Sequence, residues 1–414
     1  MPPPFSASPA LRRVARGDLC AGCGGCAAIA PGKVRMQRVE PGYLRPRQEA
    51  QLSPEEESGI AAICPALGQT VEAAGRTDSV LWGPYVSIAT GWATDPDTRF
   101  AASSGGALSA ILTYLVESGR VDAVVQTAAD PDLPIGNAAT LSTGAEEIRA
   151  AAGSRYAPSA PLADLPARLA EHRESGRRFA FVGKPCDAVA LRAWARRDPE
   201  IDRAFPVVVS FFCAGVPSHA GGRAVLEALG TDLEATRAFR YRGRGWPGRA
   251  TATGRDGAER SMTYHDSWGR ILSRHVQHRC KICPDGTGVA ADIVCADAWE
   301  SDERGYPVFE EADGVSLIMG RTAKGADLIS AAREAGAIER RDFDISGLAA
   351  IQPGQRERRR ALLARLLGQR AAGRPVPRYR GLRLAAAARQ NPPARNLKNF
   401  LGTLRRSLRA STSR

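Results

Sequence analysis

The sequence has no apolar run near the roughly 20 residues that a membrane-spanning helix needs. Its opening, Met1-Pro-Pro-Pro-Phe5, has no basic segment followed by an apolar one, so a secretory signal is not expected. No H-E-x-x-H, Walker A or Ser-His-Asp arrangement is evident, which leaves zinc-protease, P-loop and serine-hydrolase chemistry without a motif. No internal repeat is evident either. Nine cysteines without a signal argue for metal ligation in a reducing, cytoplasmic compartment and against disulfides.

Acidic residues are nearly absent from one region. Residues 351–414 carry 17 Lys/Arg and a single acid, Glu357, whereas the other 350 residues carry 40 basic and 43 acidic side chains. The net charge of +13 is therefore a property of the C-terminal segment, and the rest is close to neutral. In this segment Leu397, Phe400, Leu401, Leu404 and Leu408 share one helical face, with Lys398, Arg405, Arg406 and Arg409 elsewhere. A solvated or packed terminal helix fits that pattern, and so does contact with an anionic membrane surface or an acidic partner. Nucleic acid is not expected as a partner.

What the chain does have is Cys20-Ala-Gly-Cys23-Gly-Gly-Cys26, answered downstream by Cys64-Pro65. Three thiolates three residues apart, separated by small residues, suit an iron–sulfur cluster. A ferredoxin-type run would put its fourth cysteine at position 30, but that residue is Ala30, followed by Pro31. Cys64 is the candidate fourth ligand of a [4Fe–4S] cluster. Structural zinc sites more often use two separate cysteine knuckles.

In chain order, residues 1–19 are proline-rich, then basic, and read as poorly ordered until a cluster fixes them. A hairpin is expected over Val34–Pro46 around Pro41-Gly42. A helix follows over Ser53–Cys64, with Ser53 as N-cap, Pro54 in the first turn and Glu55, Glu56 and Glu57 at its positive end. Gly75–Ser79 reads as a linker. Beyond Leu81 strands and helices alternate, with strands expected at Val86–Trp92, Val121–Thr127, Phe179–Gly183, Pro206–Cys213, Asp292–Asp297 and Val315–Met319. Helices are expected at Ala107–Glu117, Leu162–Glu174, Ala188–Arg197, Ser218–Leu229 and Trp268–Gln277. The alternation predicts an α/β domain (mixed α+β) with a mainly parallel sheet. The organisation expected is a ferredoxin-like iron–sulfur module over 1–78, an α/β flavin-binding domain over 79–345 and a basic helical tail over 346–414.

Cys280-Lys-Ile-Cys283-Pro284-Asp285 is ambiguous by itself, because a C-x-x-C binds zinc, carries redox chemistry or completes a cluster. Cys186 and Cys213 follow predicted strands, where α/β sheets form ligand crevices. These four make a second candidate set; buried apolar cysteine is the plainer reading of Cys186 and Cys213. His275 and His278 leave a zinc site with Cys280 and Cys283 open. Cys295 is left over. Ser103-Ser104-Gly105-Gly106 at a helix start suits a phosphate or simple capping. Lys184, at a strand end, suits a phosphate or a flavin carbonyl. Tyr241-Arg242-Gly243-Arg244-Gly245-Trp246-Pro247-Gly248 reads as a mobile loop for a planar anion, or as a surface turn. Tyr264, His265 and Asp266 read as a surface turn, so no general acid is identified.

These stretches, taken in order, resemble the family of coenzyme F420 hydrogenase/dehydrogenase beta subunits. That family includes ferredoxin-dependent divinyl chlorophyllide 8-vinyl reductase, and 7-hydroxymethyl chlorophyll a reductase is also similar to it. The resemblance runs from Trp82 to about Gly320. It rests on Ser103-Ser-Gly-Gly-Ala107, Val121-Asp-Ala-Val-Val125, Gly153-Ser-Arg-Tyr156 with Pro158, and Gly183-Lys-Pro-Cys-Asp187. It continues through Phe212-Cys-Ala-Gly-Val-Pro217, Tyr241-Arg-Gly with Gly245-Trp-Pro-Gly248, Cys280-x-x-Cys283-Pro-Asp285, Ala291-Asp-Ile293 and Asp297. It implies FAD and a second [4Fe–4S] cluster on Cys186, Cys213, Cys280 and Cys283. The cofactor-binding candidates are then Ser103, Ser104, Gly105, Gly106, Ala107, Ser154, Tyr156, Lys184, Tyr241 and Arg242; the cluster candidates are those four cysteines with Cys20, Cys23, Cys26 and Cys64. The function this implies is an oxidoreductase passing electrons between a ferredoxin-like carrier or partner redox subunit, two clusters and FAD, to reduce F420 or an organic substrate. A non-catalytic electron-transfer subunit and a zinc-containing, basic-tailed binding protein are the alternatives.

Overall fold

The computed structural model describes residues 6–299 and 310–412. Helix α1 (Pro9–Gly17) opens with Ser8 Oγ accepting from Leu11 N. The helix is packed: Ala10 and Val14 are buried, and Ala10 N donates to Glu57 Oε1 at 2.8 Å. Residues 1–5, part of the stretch expected to be poorly ordered, lie outside the described residues. Helix α2 (Gly25–Ile29) carries the third cysteine of the triplet. The expected hairpin forms from β1 (Val34–Val39) and β2 (Tyr43–Gln48). Helix α3 (Pro54–Ile63) starts with a reciprocal cap, Glu56 N to Ser53 Oγ and Ser53 N to the Glu56 carboxylate. Two orphan amides are satisfied by one Ser/Glu pair. Strand β3 (Gly68–Thr70) follows, and the expected linker is instead a short hairpin of β4 (Thr77–Ser79) and β5 (Gly83–Tyr85).

The main domain runs β6 (Ser87–Ala93), α4 (Pro96–Ala101), α5 (Ala107–Glu117), β7 (Ala123–Ala129), β8 (Asn137–Ser142), α6 (Ala145–Ala150) and α7 (Leu165–Ser175). Then come β9 (Phe179–Val182), α8 (Pro185–Ala195), α9 (Pro199–Ala204), β10 (Val207–Phe211) and α10 (His219–Ala228). A separate antiparallel sheet holds β11 (Thr236–Arg240), β12 (Arg249–Gly254) and β13 (Glu259–Thr263). A π-helical turn (His265–Ile271), a 3-10 turn (Leu272–His275) and α11 (His278–Lys281) lead back to β14 (Ile293–Asp297). The chain continues through β15 (Ser316–Gly320), α12 (Ala323–Glu334), β16 (Ile338–Asp342), α13 (Leu348–Ile351) and α14 (Pro353–Ala371), and then β17 (Arg378–Arg380), α15 (Leu384–Arg389) and α16 (Pro393–Thr412).

Eight strands form one sheet in the order β16-β6-β15-β14-β10-β9-β7-β8. The expectation of a mainly parallel sheet is corrected: β7, β9, β10 and β14 run parallel, but β8 at one edge and β15, β6 and β16 at the other pair antiparallel. Only the strands joined by α7, α8 and α10 keep the crossover geometry that parallel pairing needs. Phe179, Phe181, Val208 and Val209 are fully buried, as strands covered by helices on both faces require. Each such side chain contributes about 1.5–3 kcal/mol of burial.

The basic C-terminal segment is packed along much of its length. Arg358 Nη1 donates to Cys213 O at 2.9 Å, and Gln355 Nε2 to the same carbonyl at 3.0 Å. Arg359, 8% exposed, donates to Pro284 O and Leu382 O. Arg365 reaches Lys281 O at 3.0 Å. Strand β17 pairs in parallel with β3. Several of its cations thus finish the backbone of the cysteine loops. In α16, Thr403 and Ser407 are buried while Leu397, Leu401 and Leu408 are half or more exposed.

Candidate functional site

The nine cysteines are all free thiols. Cys20, Cys23, Cys26 and Cys64 lie within electrostatic reach of one another. Burial pushes their thiols up, Cys64 to about 11. Backbone N–H groups point at the sulfurs: Gly22 N to Cys20 at 3.3 Å, with Gly25, Ala27, Ala66 and Leu67 donating to Cys23, Cys26 and Cys64. Gly24, at φ +87°, has Ala163 N at 2.7 Å from where a Cβ would sit, so a side chain there would push the loop off the main domain. Leu162 N donates to Cys23 O at 3.0 Å, which anchors the loop to that domain.

Cys186 begins α8, Cys213 follows β10, and Cys280 and Cys283 flank the end of α11. The fold brings these four together as well: Cys186 acts on Cys213 and Cys283, and Cys213 on Cys280 and Cys283. Burial raises Cys213 to about 12. Asp285, 4% exposed, shapes the loop after Cys283 by accepting from Thr287 N, Gly288 N and Val289 N at 2.8–3.0 Å. Among the described residues, no three His, Cys, Asp or Glu side chains converge at the spacing of a single metal ion. The two histidines that a zinc site with Cys280 and Cys283 would use have other neighbours: His278 Nε2 meets Gln369 Nε2 at 2.6 Å, and His275 packs over Gly221.

A cavity of about 300 Å3 opens at the carboxyl ends of β7, β9, β10 and β14, where ligands of α/β sheets gather. Ser103, Ser104, Gly106, Ser154, Tyr156 and Arg242 line it. Gly106, at φ +74°, starts α5 with no side-chain cap, so the amides of that first turn are open to an anion. Ser103 Oγ and Ser154 Oγ share a hydrogen bond at 2.6 Å. Ser104 Oγ donates to Val315 O at 3.0 Å. Gly105 and Ala107 lie beneath: Ala107 is fully buried, and a Cβ on Gly105 would meet Ser316 N at 2.7 Å. A second cavity of about 500 Å3 shares Ala151, Ala152, Ser154, Arg155 and Arg242 with the first and adds Arg149, Arg240 and Arg244.

Three expected contacts change. Lys184 lines the first cavity, but its ammonium is bonded to Asp187 Oδ2 and Ser159 Oγ at 2.8 Å, and to Ser159 O at 3.3 Å. With its donors filled, it cannot also pair with a phosphate. Tyr241 is fully buried and donates to Ile135 O at 2.8 Å, so it belongs to the core under β11–β13. Arg242 is not on a mobile loop: 2% exposed, it forks onto Asp297 at 2.8 and 2.9 Å and donates to Pro247 O. Its Cζ lies 4.7 Å from the Tyr264 ring centroid and 5.0 Å from that of Trp299. Burial opposes its charge, but Asp297 more than compensates and holds it protonated.

Sequence reasoning misses Tyr264, Trp299, Gln126, Asn137 and Cys295 as lining residues. Tyr264 reads as part of a turn, and the strand ends of β7 and β8 carry no motif. Burial raises Cys295 to about 12, so its thiol stays protonated in the cavity wall.

Comparison with known proteins places this arrangement. Models of the coenzyme F420 hydrogenase/dehydrogenase beta subunit match the chain in two pieces, the N-terminal part at residues 88–165 and the C-terminal part at residues 176–345. Together these span more than half of the chain, which belongs to this family of redox subunits. The coenzyme F420 hydrogenase subunit beta of Methanococcus voltae is 27% identical over 308 residues, 72% of this chain and 99% of the relative. One subunit of the F(420)H(2) dehydrogenase of Methanosarcina mazei is 22% identical over 338 residues, 78% of this chain and 90% of the relative. A chain of the F420-reducing hydrogenase complex from Methanosarcina barkeri superposes with a TM-score of 0.53 at 21% identity, covering 68% of this chain and 91% of its own. At that identity the likeness is one of fold. No helix among the described residues is long and apolar enough to cross a membrane.

Proposed function

We propose that the chain is an electron-transfer oxidoreductase subunit that binds FAD in the cleft and one [4Fe–4S] cluster on each cysteine set. The observation that carries this reading is Cys213, which belongs to the second set and also lines the first cavity. A thiolate ligand at the wall of a flavin site puts the two redox groups within one contact layer. The donor sets fit clusters: two groups of four free thiols, buried or half-buried, with N–H groups aimed at several of the sulfurs. Bound flavin would supply the exchange between one-electron and two-electron chemistry.

The chain's own residues bind and orient. The first turn of α5, with Ser103 and Ser154, holds an anionic part of the cofactor. Arg149, Arg240 and Arg244 in the adjoining cavity suit the phosphates or carboxylates of a dinucleotide or an F420-type substrate. Arg242, Tyr264 and Trp299 form a flat, cationic and aromatic wall for a ring system. The relatives are named as subunits, so turnover of F420 is expected only with a partner redox subunit or ferredoxin-like carrier present. Cys213 is the exit or entry between cluster and flavin in either direction.

Anaerobic purification with iron, sulfide and flavin counted per chain tests this. About eight iron, about eight sulfide and one FAD are expected for two four-iron clusters. Zinc with no acid-labile sulfide and no flavin would end the reading. The exposed Leu397, Leu401 and Leu408 of α16 lie beside Lys398 and Arg405, and we assign this helix a contact with an anionic membrane surface. Co-sedimentation with phosphatidylglycerol vesicles, but not with phosphatidylcholine vesicles, is the expected result.

A further inference from the structure

The two cysteine sets meet at a buried guanidinium. Arg279 precedes Cys280 in α11 and is 3% exposed. Its Nη2 donates to Pro65 O at 2.9 Å, the carbonyl next to Cys64. Its Nη1 reaches Ile282 O at 3.5 Å, the carbonyl before Cys283. Its Nε is buried with no hydrogen-bond acceptor. The Tyr379 ring lies 5.9 Å from Cζ, and the Tyr379 hydroxyl donates to the same Ile282 O at 3.3 Å. Tyr379 sits in β17, paired with β3 just beyond Cys64.

Both acceptors of Arg279 are neutral carbonyls. A buried cation with no anion costs several kcal/mol, so this position calls for a counter-charge. Arg279 lies within electrostatic reach of Cys20 and Cys64 on one side and of Cys186, Cys280 and Cys283 on the other. Neutral thiols supply no counter-charge; thiolates around a metal core do. Lys184, a buried cation beside Cys186, is already matched by Asp187. Arg358 donates to Cys213 O and Ala214 O and touches the second set alone.

We propose that Arg279 is a shared counter-ion, a positioning residue whose single charge stabilises an added electron on either cluster. The inference rests on the two-cluster reading above. It makes the reduction potentials of the two sets respond together to one side chain, since hydrogen bonds and charge near the sulfurs set a cluster's potential.

Potentiometric titration of the anaerobically purified holoprotein, followed by electron paramagnetic resonance, tests this on wild type, Arg279→Gln, Arg279→Lys and Arg358→Gln. In Arg279→Gln, the reduced-to-oxidised ratio at fixed potential should fall about tenfold at both clusters, about 59 mV for one electron. Arg358→Gln should move one cluster only. Arg279→Lys keeps the charge but loses the fork, and should move both clusters in the same direction by about threefold, again by the one-electron relation. A shift confined to one cluster, or no shift, in an Arg279→Gln protein with unchanged iron overturns the proposal. If that variant does not hold iron, Arg279→Lys decides by the same criterion. Fewer than two clusters in wild type would instead overturn the functional reading itself, so the two failures are distinct.

Discussion

Cys20, Cys23 and Cys26 lie within seven residues and take hydrogen bonds from the backbone of their own loop. Cys186, Cys213, Cys280 and Cys283 come from three separate places in the chain and are held by others: Arg358 and Gln355 on Cys213 O, and Arg359 on Pro284 O. One set is made by local spacing and the other by the finished fold. Changes in the main domain should therefore tell more on the second set than on the first, which meets that domain at a few points such as Leu162 N on Cys23 O.

The sharpest way to break this comparison is to remove one thiol from each set. Cys23→Ser should lose about half of the iron and leave flavin bound, whereas Cys213→Ser should lose the other half and weaken flavin as well, because Cys213 lines the cavity. Iron, sulfide and flavin counts per chain decide; equal flavin loss in both would dissolve the distinction. Next, Arg359→Met leaves Pro284 O and Leu382 O without their donor. A loss of about 2–4 kcal/mol in denaturant unfolding is expected from buried groups left unpaired, with iron lost from the second set first.

Gly105→Ala comes third. Its Cβ would sit 2.7 Å from Ser316 N, 2.8 Å from Gly91 O and 3.0 Å from Gly314 O, all backbone, so overpacking of about 1–3 kcal/mol should appear in thermal melting with iron content unchanged.

The smallest effect concerns how the first set's module is attached. His219 N and Ala220 N donate to Gly42 O and Pro41 O of the β1–β2 turn. Burial, then Arg38 and Arg223, lower His219 to about 4 against the pull of Asp130. A histidine held neutral in this way contributes stability in full above its ordinary value near 6.5, and that contribution is lost as pH falls from there through about 4. His219→Gln should flatten the melting temperature between pH 7 and pH 5; an unchanged profile would mean that the hairpin docks independently of this ring.

What could be read in advance follows the same division. The cysteine triplet, the reciprocal cap of α3 and the start of α5 at Ala107 were legible because the residues that cause them are neighbours. The strand direction of β6, β15 and β16 was not. It depends on β6 crossing from one edge of the sheet to reach β7 near the other, which no local pattern records. Lys184 and Tyr241 carried plausible chemistry, but their partners, Asp187 with Ser159 and Ile135, are set by packing. The basic C-terminal segment left solvated and packed readings open, because charge is usually at the surface; Arg358 and Arg359 donate to carbonyls that only the fold brings to them.

The pairing of β3 with β17 has a consequence for biogenesis. Residues 68–70 close beside the first cysteine set only when residues 378–380 are laid against them. A ribosome that has already released Cys20 through Cys64 must still translate some three hundred residues before that closure is available. Until then β3 has no strand to pair with. Closure on that side of the first cysteine set is thus a late event in synthesis.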